Sequence, residues 1–418
     1  MIHGSIERSL CLPCSITMPN ARRTTSLDTP LLVHFRHRVT FTHDVFAVTN
    51  PTLRSVFDLP ISGAQSDPTN QRAIVFVDSN VLAANPSLPH DIQTYMTHAA
   101  TGEYGSKAGK HSFPELTMVE SVVGGEAAKQ SMNVTDRVIR AVDEHRIDRQ
   151  SYVIAIGGGA VLDAVGFGAS ISHRGVRLIR LPTTTLAQDD AGMAVKNAIN
   201  LGPKKNFVGN FAVPHAVVCD TAFLQSTPDW SWTGGFSEAV KIALLRDEEL
   251  FTRIERDAQA IAARSMDAAI PVIIRSAELH YRHIMEGGDP FETHSARPLD
   301  FGHWLAHRLE GMTSGALPHG QAVAIGVAID TLYSECAGMM RSEDARRVIA
   351  VLRALALPVT HPLLTDIDRV FAGLAEFREH LGGRLTITLL RGIGDPVDVH
   401  SIDPNILRTA IALTSRDA

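Results

Sequence analysis

Cysteine is scarce, four in 418 residues, and only Cys11 and Cys14 stand close enough to form a motif. That CxxC has no second pair near enough to complete a zinc ribbon, and it reads as an incidental pair in a loose N-terminal tail, ahead of a redox role. No apolar run approaches the roughly eighteen residues of a transmembrane helix, so no membrane span is expected. Positive charge is not in excess: a net charge of −6 and a pI near 6.3 give no basis for nucleic-acid binding. A signal peptide is a poor fit, because Glu7, Arg8, Arg22 and Arg23 surround a short apolar stretch broken by Pro13. Internal repeats and low-complexity tracts are missing as well. These absences point to a reduced, cytoplasmic, enzyme-sized protein whose residues 1–30 form a peripheral tail.

What is present is ordinary globular sequence, 44% hydrophobic and 20% charged, long enough for two or three domains around a large core. LLVHFRHRVTFTHDVF, from Leu31, reads as a strand pair, rich in β-branched and aromatic residues. Ala73–Val77 is an apolar run ending at Asp78, as a buried parallel strand ends, and Glu115–Glu120 is a second short strand. Gly124–His145 has helical spacing; Tyr152–Ile156 runs into Gly157–Gly158–Gly159 and a helix over Val161–Ser170; Val176–Leu181 is a further strand cut by Pro182. This alternation predicts a Rossmann-like, doubly wound parallel sheet over 31–221. From Gly234 to about Leu357 the period is helical, with Pro271 and Pro298 as breakpoints, so 222–418 is expected to be a mainly α-helical domain. A short strand pair is expected near Arg384–Arg391.

Two stretches carry chemistry. Glycine at 157–159, between a buried strand and a helix, lets backbone approach a pyrophosphate whose charge meets the helix N-terminal N–H groups. The spacing is GGGxxxD and not GxGxxG, so an ordinary dinucleotide fingerprint is weak, and a tight turn without ligand is the competing reading. In Ser295–His319, His303 and His307 lie one helical turn apart on one face, Glu310 follows on that face, and His319 opens the next segment. Gathered imidazoles suit a metal such as zinc, against the plainer reading of surface histidines in a chain that has 19.

At this point a family resemblance enters. The blocks IAIGGGAVLDAVGFGAS, RGVRLIRLPTTTLAQDDAGMAVKNAIN, KKNFVGNF, FSEAVKIALLRD, DFGHWLAHRLE and LPHGQAVAIG resemble, in sequence and order, the dehydroquinate synthase family of sugar phosphate cyclases. The likeness covers roughly Ile74 to Val327. Iron-dependent alcohol dehydrogenases share the glycine turn and histidine blocks but do not usually carry a block like KKNFVGNF. The resemblance implies NAD and zinc, or another divalent metal such as cobalt, as cofactors, a sugar phosphate as substrate and a homodimer. It implies NAD contacts at Asp78, Asn80, Glu126, Lys129, Gly157, Gly158, Gly159, Asp163, Thr183, Thr184 and Thr221, and metal ligands at Glu238, His303 and His319. It places Asp190, Lys196, Lys205, Asn206 and Lys241 at the substrate, His307 near its phosphate, Arg174 at the neighbouring subunit's phosphate site, and Arg378 as a fainter phosphate contact. In this family NAD⁺ oxidises a secondary alcohol, phosphate leaves, the hydride returns, the ring opens, and an intramolecular aldol step closes a carbocycle.

The departures gather at the place that meets a substrate carboxylate. A family lysine there is His280, an arginine has only Arg297 one position off, and an asparagine becomes Asp300. Asp300 would repel a carboxylate and accept hydrogen bonds from hydroxyls. This resembles the cyclase branches that act on sedoheptulose 7-phosphate, and also a divergent bacterial and algal dehydroquinate-synthase-like branch with the PLDFGHW block, here Pro298–Trp304. Beside that expectation stand 3-dehydroquinate synthase itself, an NAD-dependent alcohol or polyol-phosphate dehydrogenase, and a catalytically silent binding protein.

Overall fold

Runs of consecutive apolar residues need protein on both faces, and here they lie in the middle of a six-stranded, all-parallel sheet. The strands are β1 (Val39–Thr42), β2 (Arg72–Asp78), β3 (Glu115–Val122), β4 (Tyr152–Gly157), β5 (Arg177–Pro182), β6 (Lys196–Leu201), β7 (Lys204–Phe211), β8 (Ala216–Asp220), β9 (Ile387–Gly392) and β10 (Asp395–Val399). The sheet order is β1-β8-β5-β4-β2-β3, while β6–β7 and β9–β10 are separate antiparallel hairpins. This is a computed structural model, and it describes residues 27–58, 71–101, 113–202, 204–287, 290–291, 299–380 and 384–416. Residues 27–35 have no regular secondary structure and expose Leu27, Leu31, Leu32, Val33 and Phe35. The described residues from Arg36 onward fold as one unit.

Alternate strand residues feed opposite faces of the sheet. Ile74, Phe76, Val153 and Ala155 pack with Val138, Val142, Leu162 and Val165 of the helices Asn133–Glu144 and Gly159–Ile171. Ala73, Val75, Val77, Ile154 and Ile156 pack on the other face with Leu53, Ile92 and Tyr95. The chain passes from β2 outward to β3, then crosses back so that β4 lies on the far side of β2. Strand order reverses there, and the crevice at the carboxyl ends of β2 and β4 is where such sheets take ligands.

After β8 the chain is helical: Asp229–Arg246, Glu248–Ala262, Met266–Glu286, His303–Met312, His319–Cys336, Ser342–Ala354, Ile367–His380 and Pro404–Arg416. The helices Asp229–Arg246 and His319–Cys336 are buried along nearly their whole length. Both therefore sit at the centre of this layer, inside a core that includes Phe236, Phe301, Trp304 and Ile325.

Several local expectations change. The strand pair from Leu31 is a single four-residue strand, β1, because the chain turns after it. Asp44 has φ of 54°, and the Asp220 carboxylate takes the N–H groups of Asp44 and Val45. Gly124–His145 splits into a 3₁₀ turn, Gly125–Lys129, and the helix Asn133–Glu144. Pro271 does not break its helix: it costs one backbone hydrogen bond near the start, and burial of Ala269, Val272, Ile273 and Ala277 carries the helix on. Pro298, Cys11 and Cys14 lie outside the described residues. The C-terminal strand pair exists, as β9 and β10.

Candidate active site

The crevice at the switch point gathers one group of the sequence-derived residues. Asp78 ends β2 and caps the helix after it, its Oδ1 accepting from Asn80 N at 2.8 Å. Gly157 ends β4, Gly158 caps the helix Gly159–Ile171, and Thr183 follows β5, its N–H donating to Gly157 O. Thr184 caps the next short helix through Oγ1, and Thr221, next to β8, bonds Thr42 O and His43. Thr183 Oγ1 is buried with no hydrogen-bond partner, so it is a donor in need of an acceptor.

Gly158 is the informative glycine. Its φ of −73° suits any residue, and a Cβ added there would meet only Thr184 Cγ2, at 3.4 Å. The fold therefore does not demand glycine here; close approach of a ligand would. Gly158→Val is expected to leave thermal unfolding near native and remove NAD⁺ binding by calorimetry, with Gly158→Ala in between. Native NAD⁺ affinity in the valine variant would make the glycine run only a turn.

Three helices supply the second group. Glu238 lies in the middle of Asp229–Arg246, while His303 and His319 are the first residues of their own helices. Their approach is set by glycine: a Cβ on Gly320 would fall 2.1 Å from Gly234 O, so the helices carrying Glu238 and His319 touch backbone to backbone. One donor atom from each ligand residue lies within 4.8 Å of the others. Glu238 is fully buried and neither oxygen accepts an aligned hydrogen bond. Around it stand Lys241 Nζ at 2.5 Å, His303 Nε2 at 3.3 Å and His319 Nε2 at 3.4 Å. Burial alone would raise the Glu238 carboxyl, but Lys241 and His303 hold it well below the usual carboxylate range. A fully buried carboxylate facing two imidazole nitrogens fits a divalent ion, with N and O donors suited to zinc or cobalt.

The far side of each imidazole is also engaged. His303 Nδ1 lies 3.2 Å from Phe301 O, and His319 Nδ1 lies 3.4 Å from Glu310 Oε2. These contacts direct both Nε2 atoms at Glu238. Burial disfavours the charged form of His319, yet Glu310 and Glu238 outweigh it and push the imidazole up to about 10. The metal-free chain thus holds His319 protonated, and a metal must displace that proton. Zinc binding near neutral pH is expected to release about one proton, read by calorimetry in buffers of different ionisation enthalpy, and zinc affinity is expected to rise about tenfold per pH unit below about 10. Zinc binding without proton release would contradict it.

The hairpin β6–β7 connects the two groups. Lys205 Nζ bonds Glu310 Oε1 at 2.8 Å and lies 3.6 Å from Glu126 Oε1. Lys129 Nζ contacts Asp163 Oδ2 and Asn206 Oδ1, each at 2.5 Å. Glu126 and Lys129 therefore interleave with Lys205 and Asn206 of the hairpin. Deeper in the cleft, His280 Nε2 stands 3.3 Å from Asp190 Oδ1, and buried Lys241 is held protonated, against its own burial, by Glu238, Asp190 and Asp300. His307 is exposed, its ring 5.5 Å from that of His303 and 6.1 Å from that of His319. Lys196 opens β6.

The remaining residues are not brought into this cluster. Arg174 stands exposed on a turn where it and His173 both have positive φ. Arg378 is exposed on its helix, two positions past Glu376, which pairs with Arg308. Arg297 lies outside the described residues. Sequence reading missed Arg180, fully buried in β5, which donates to Ala194 O, Lys196 O and Asn197 Oδ1 and so fixes the strand bearing Lys196. A charge inside an otherwise apolar strand was its signal. Also missed was Asp189, fully buried with both oxygens unpartnered and its carboxyl raised well above the usual range by burial and by Asp190.

Known proteins resemble the chain over most of its length. Residues 119–233 match the family model of the 3-dehydroquinate synthase N-terminal domain, and 235–376 that of the C-terminal domain. The chain is 30% identical over 362 residues to a 2-epi-5-epi-valiolone synthase of Actinomyces, covering 85% of this chain and 89% of that one. It is 33% identical over 294 residues to a 3-dehydroquinate synthase of Caulobacter vibrioides, covering 69% and 79%. Among solved structures it is similar to the 2-epi-5-epi-valiolone synthase of Streptomyces hygroscopicus subsp. jinggangensis, solved with NAD⁺ and Zn²⁺ bound. The TM-score is 0.81 at 26% identity, covering 94% of this chain and all of that one.

Proposed function

The chain belongs to the 3-dehydroquinate synthase-like family of sugar phosphate cyclases, and from that premise we propose that it is an NAD- and zinc-dependent cyclase of a C7 ketose phosphate, a phosphorus–oxygen lyase of the sedoheptulose 7-phosphate type. One observation carries the reading: buried Glu238 meets the half-buried His303 and His319, with Lys241 Nζ against the same carboxylate and Asp190, His280 and Asp300 close by.

In this reading Glu238, His303 and His319 hold the metal, and Asp78, Asn80, Glu126, Lys129, Gly157, Gly158, Gly159, Asp163, Thr183, Thr184 and Thr221 line the NAD site. When bound, the two cofactors supply reversible hydride transfer at a carbinol carbon and polarisation of its oxygen. Lys196, Lys205, Asn206 and His307 meet the phosphate, whose charge needs several donors at close range, with Arg174 of a second copy and Arg378 as outer contacts. The present pairing of Lys205 with Glu310 and Glu126 keeps its ammonium in the cleft without a phosphate. Asp190 and Asp300 accept hydrogen bonds from substrate hydroxyls, and buried Lys241 and His280 orient them. The division near residue 221, a homodimer and a cytoplasmic location belong to the same proposal. Among the described residues no helix is long and apolar enough to cross a membrane.

The test is a panel of sugar phosphates with purified protein, NAD⁺ and zinc. Release of inorganic phosphate with no net NADH is the expected outcome. Net NADH in step with substrate consumed would make the chain a dehydrogenase on the same plan, and no turnover of any phosphate would favour a binding protein.

A further inference from the structure

We propose that Asp330 is a positioning residue for His303, acting through the two residues that flank it in the chain. Asp330 lies on the helix His319–Cys336 and is buried. Its Oδ2 accepts from Gly302 N at 2.9 Å, and its Oδ1 accepts from Trp304 Nε1 at 2.9 Å. One buried carboxylate thus grips both neighbours of His303, and Trp304 is itself buried.

The grip sets more than the position of a helix end. Gly302 has φ of 77°, a left-handed conformation that favours glycine. Its backbone is wedged against the Asp330 helix, since a Cβ on Gly326 would fall 2.0 Å from Gly302 O and a Cβ on Gly302 2.6 Å from Val327 N. The peptide before it carries Phe301 O, the acceptor facing His303 Nδ1 at 3.2 Å. Rotation of the Phe301–Gly302 peptide would turn that carbonyl away and release the imidazole from the orientation that points Nε2 at Glu238. The Gly302 N–H bond to Asp330 opposes this rotation directly. Asp330 is in turn fixed at its own level: Ser334 Oγ donates to Asp330 O at 2.7 Å and accepts from Leu390 N of β9 at 3.2 Å. Partners that fix the orientation of a ligating imidazole weigh on metal affinity by about 10- to 100-fold when lost.

This inference rests on the metal site formed by Glu238, His303 and His319, and the experiment separates the two. Zinc affinity of the full chain is measured by competition with a chromogenic chelator, and the cobalt-loaded protein is examined by its d–d absorption spectrum, for the native chain, His303→Ala, Asp330→Asn and Trp304→Phe. Asp330→Asn keeps size but cannot accept from both donors; Trp304→Phe removes the indole bond together with part of a buried ring, and covers the case in which the first variant fails to fold. The expected result is a loss of zinc affinity of about 10- to 100-fold in Asp330→Asn, a smaller loss in Trp304→Phe, and cobalt spectra altered in the same sense in both. Lower thermal stability with native zinc affinity and a native cobalt spectrum, in either folded variant, would reduce Asp330 to a structural role and overturn the proposal. Native zinc affinity in His303→Ala would instead overturn the metal site itself.

Discussion

His303→Ala is expected to lose all measurable turnover while binding NAD⁺ nearly as the native chain does. The two halves of that outcome have separate physical sources. Among the described residues His303 supplies one of the two imidazole nitrogens facing the Glu238 carboxylate, and its removal leaves Glu238 and His319 as the protein ligands. Two ligands hold a divalent ion poorly, and loss of Lewis-acid polarisation, worth several kcal/mol, lowers the rate by about a thousandfold or more. The nucleotide crevice is built by other elements, the ends of β2 and β4 with Gly158 and the threonines after β5. Among the described residues the His303 ring meets Phe301 O and Glu238, neither of them in that crevice, so the alanine is expected to leave it in place. Metal content, calorimetry with NAD⁺ and phosphate release together test the prediction. A variant that retains turnover sinks the ligand assignment, and one that loses NAD⁺ affinity equally shows the two sites to be one cooperative unit.

Much of this architecture was legible in the sequence because it is written in local signals. Ala73–Val77 and Tyr152–Ile156 are continuous apolar runs closed by Asp78 and by glycine, and both are central strands. The paired histidines read as one helix face because His303 and His307 are a single turn apart, and they do share the helix His303–Met312. What stayed hidden depends on residues far apart in the chain. Lys205 and Glu310 are 105 positions apart, and Asp330 is 28 from the Gly302 it holds, so neither contact has a local signature. The hairpin β6–β7 was not foreseen as strands, because Lys204–Phe211 is half exposed and rich in Lys, Asn and Gly, a composition that otherwise marks loops. The strand pair expected from Leu31 failed for the opposite reason. Its alternation is real, but only Val39–Thr42 finds a neighbouring strand, β8, and a strand needs a partner more than a pattern.

Turnover of a neutral-headed heptulose phosphate, sedoheptulose 7-phosphate first, is expected to exceed that of the carboxylated heptulosonate phosphate by about a hundredfold in kcat/KM, the equivalent of about 2.7 kcal/mol. The argument is one of charge. Immediately around the Glu238 carboxylate the described residues place the carboxyl groups of Asp190 and Asp300 and the ammonium of Lys241, while the Lys205 ammonium is paired with Glu310 and Glu126. The formal sum of Glu238, Asp190, Asp300 and Lys241 is −2, which one divalent ion neutralises and no more. Burial and Asp190 raise the Asp189 carboxyl well above the usual range, which disfavours a further charge there, and burial lowers the pKa of His280 despite Asp190 at 3.3 Å. Among the described residues no positive charge is therefore left over beside Glu238 to pair with a substrate carboxylate, which would face desolvation and like-charge repulsion together. Hydroxyls, by contrast, can donate to Asp190 and Asp300 at no electrostatic cost. Steady-state kinetics with both sugars checks the ratio, and Asp300→Asn should narrow it by easing the repulsion while leaving the phosphate contacts untouched. If the carboxylated sugar has the higher kcat/KM, the chain is a 3-dehydroquinate synthase, and Arg297 or His280 has taken over the carboxylate. Arg297→Ala should then raise the KM for that sugar sharply, because removing the only cation opposite a buried carboxylate leaves that charge unpaired.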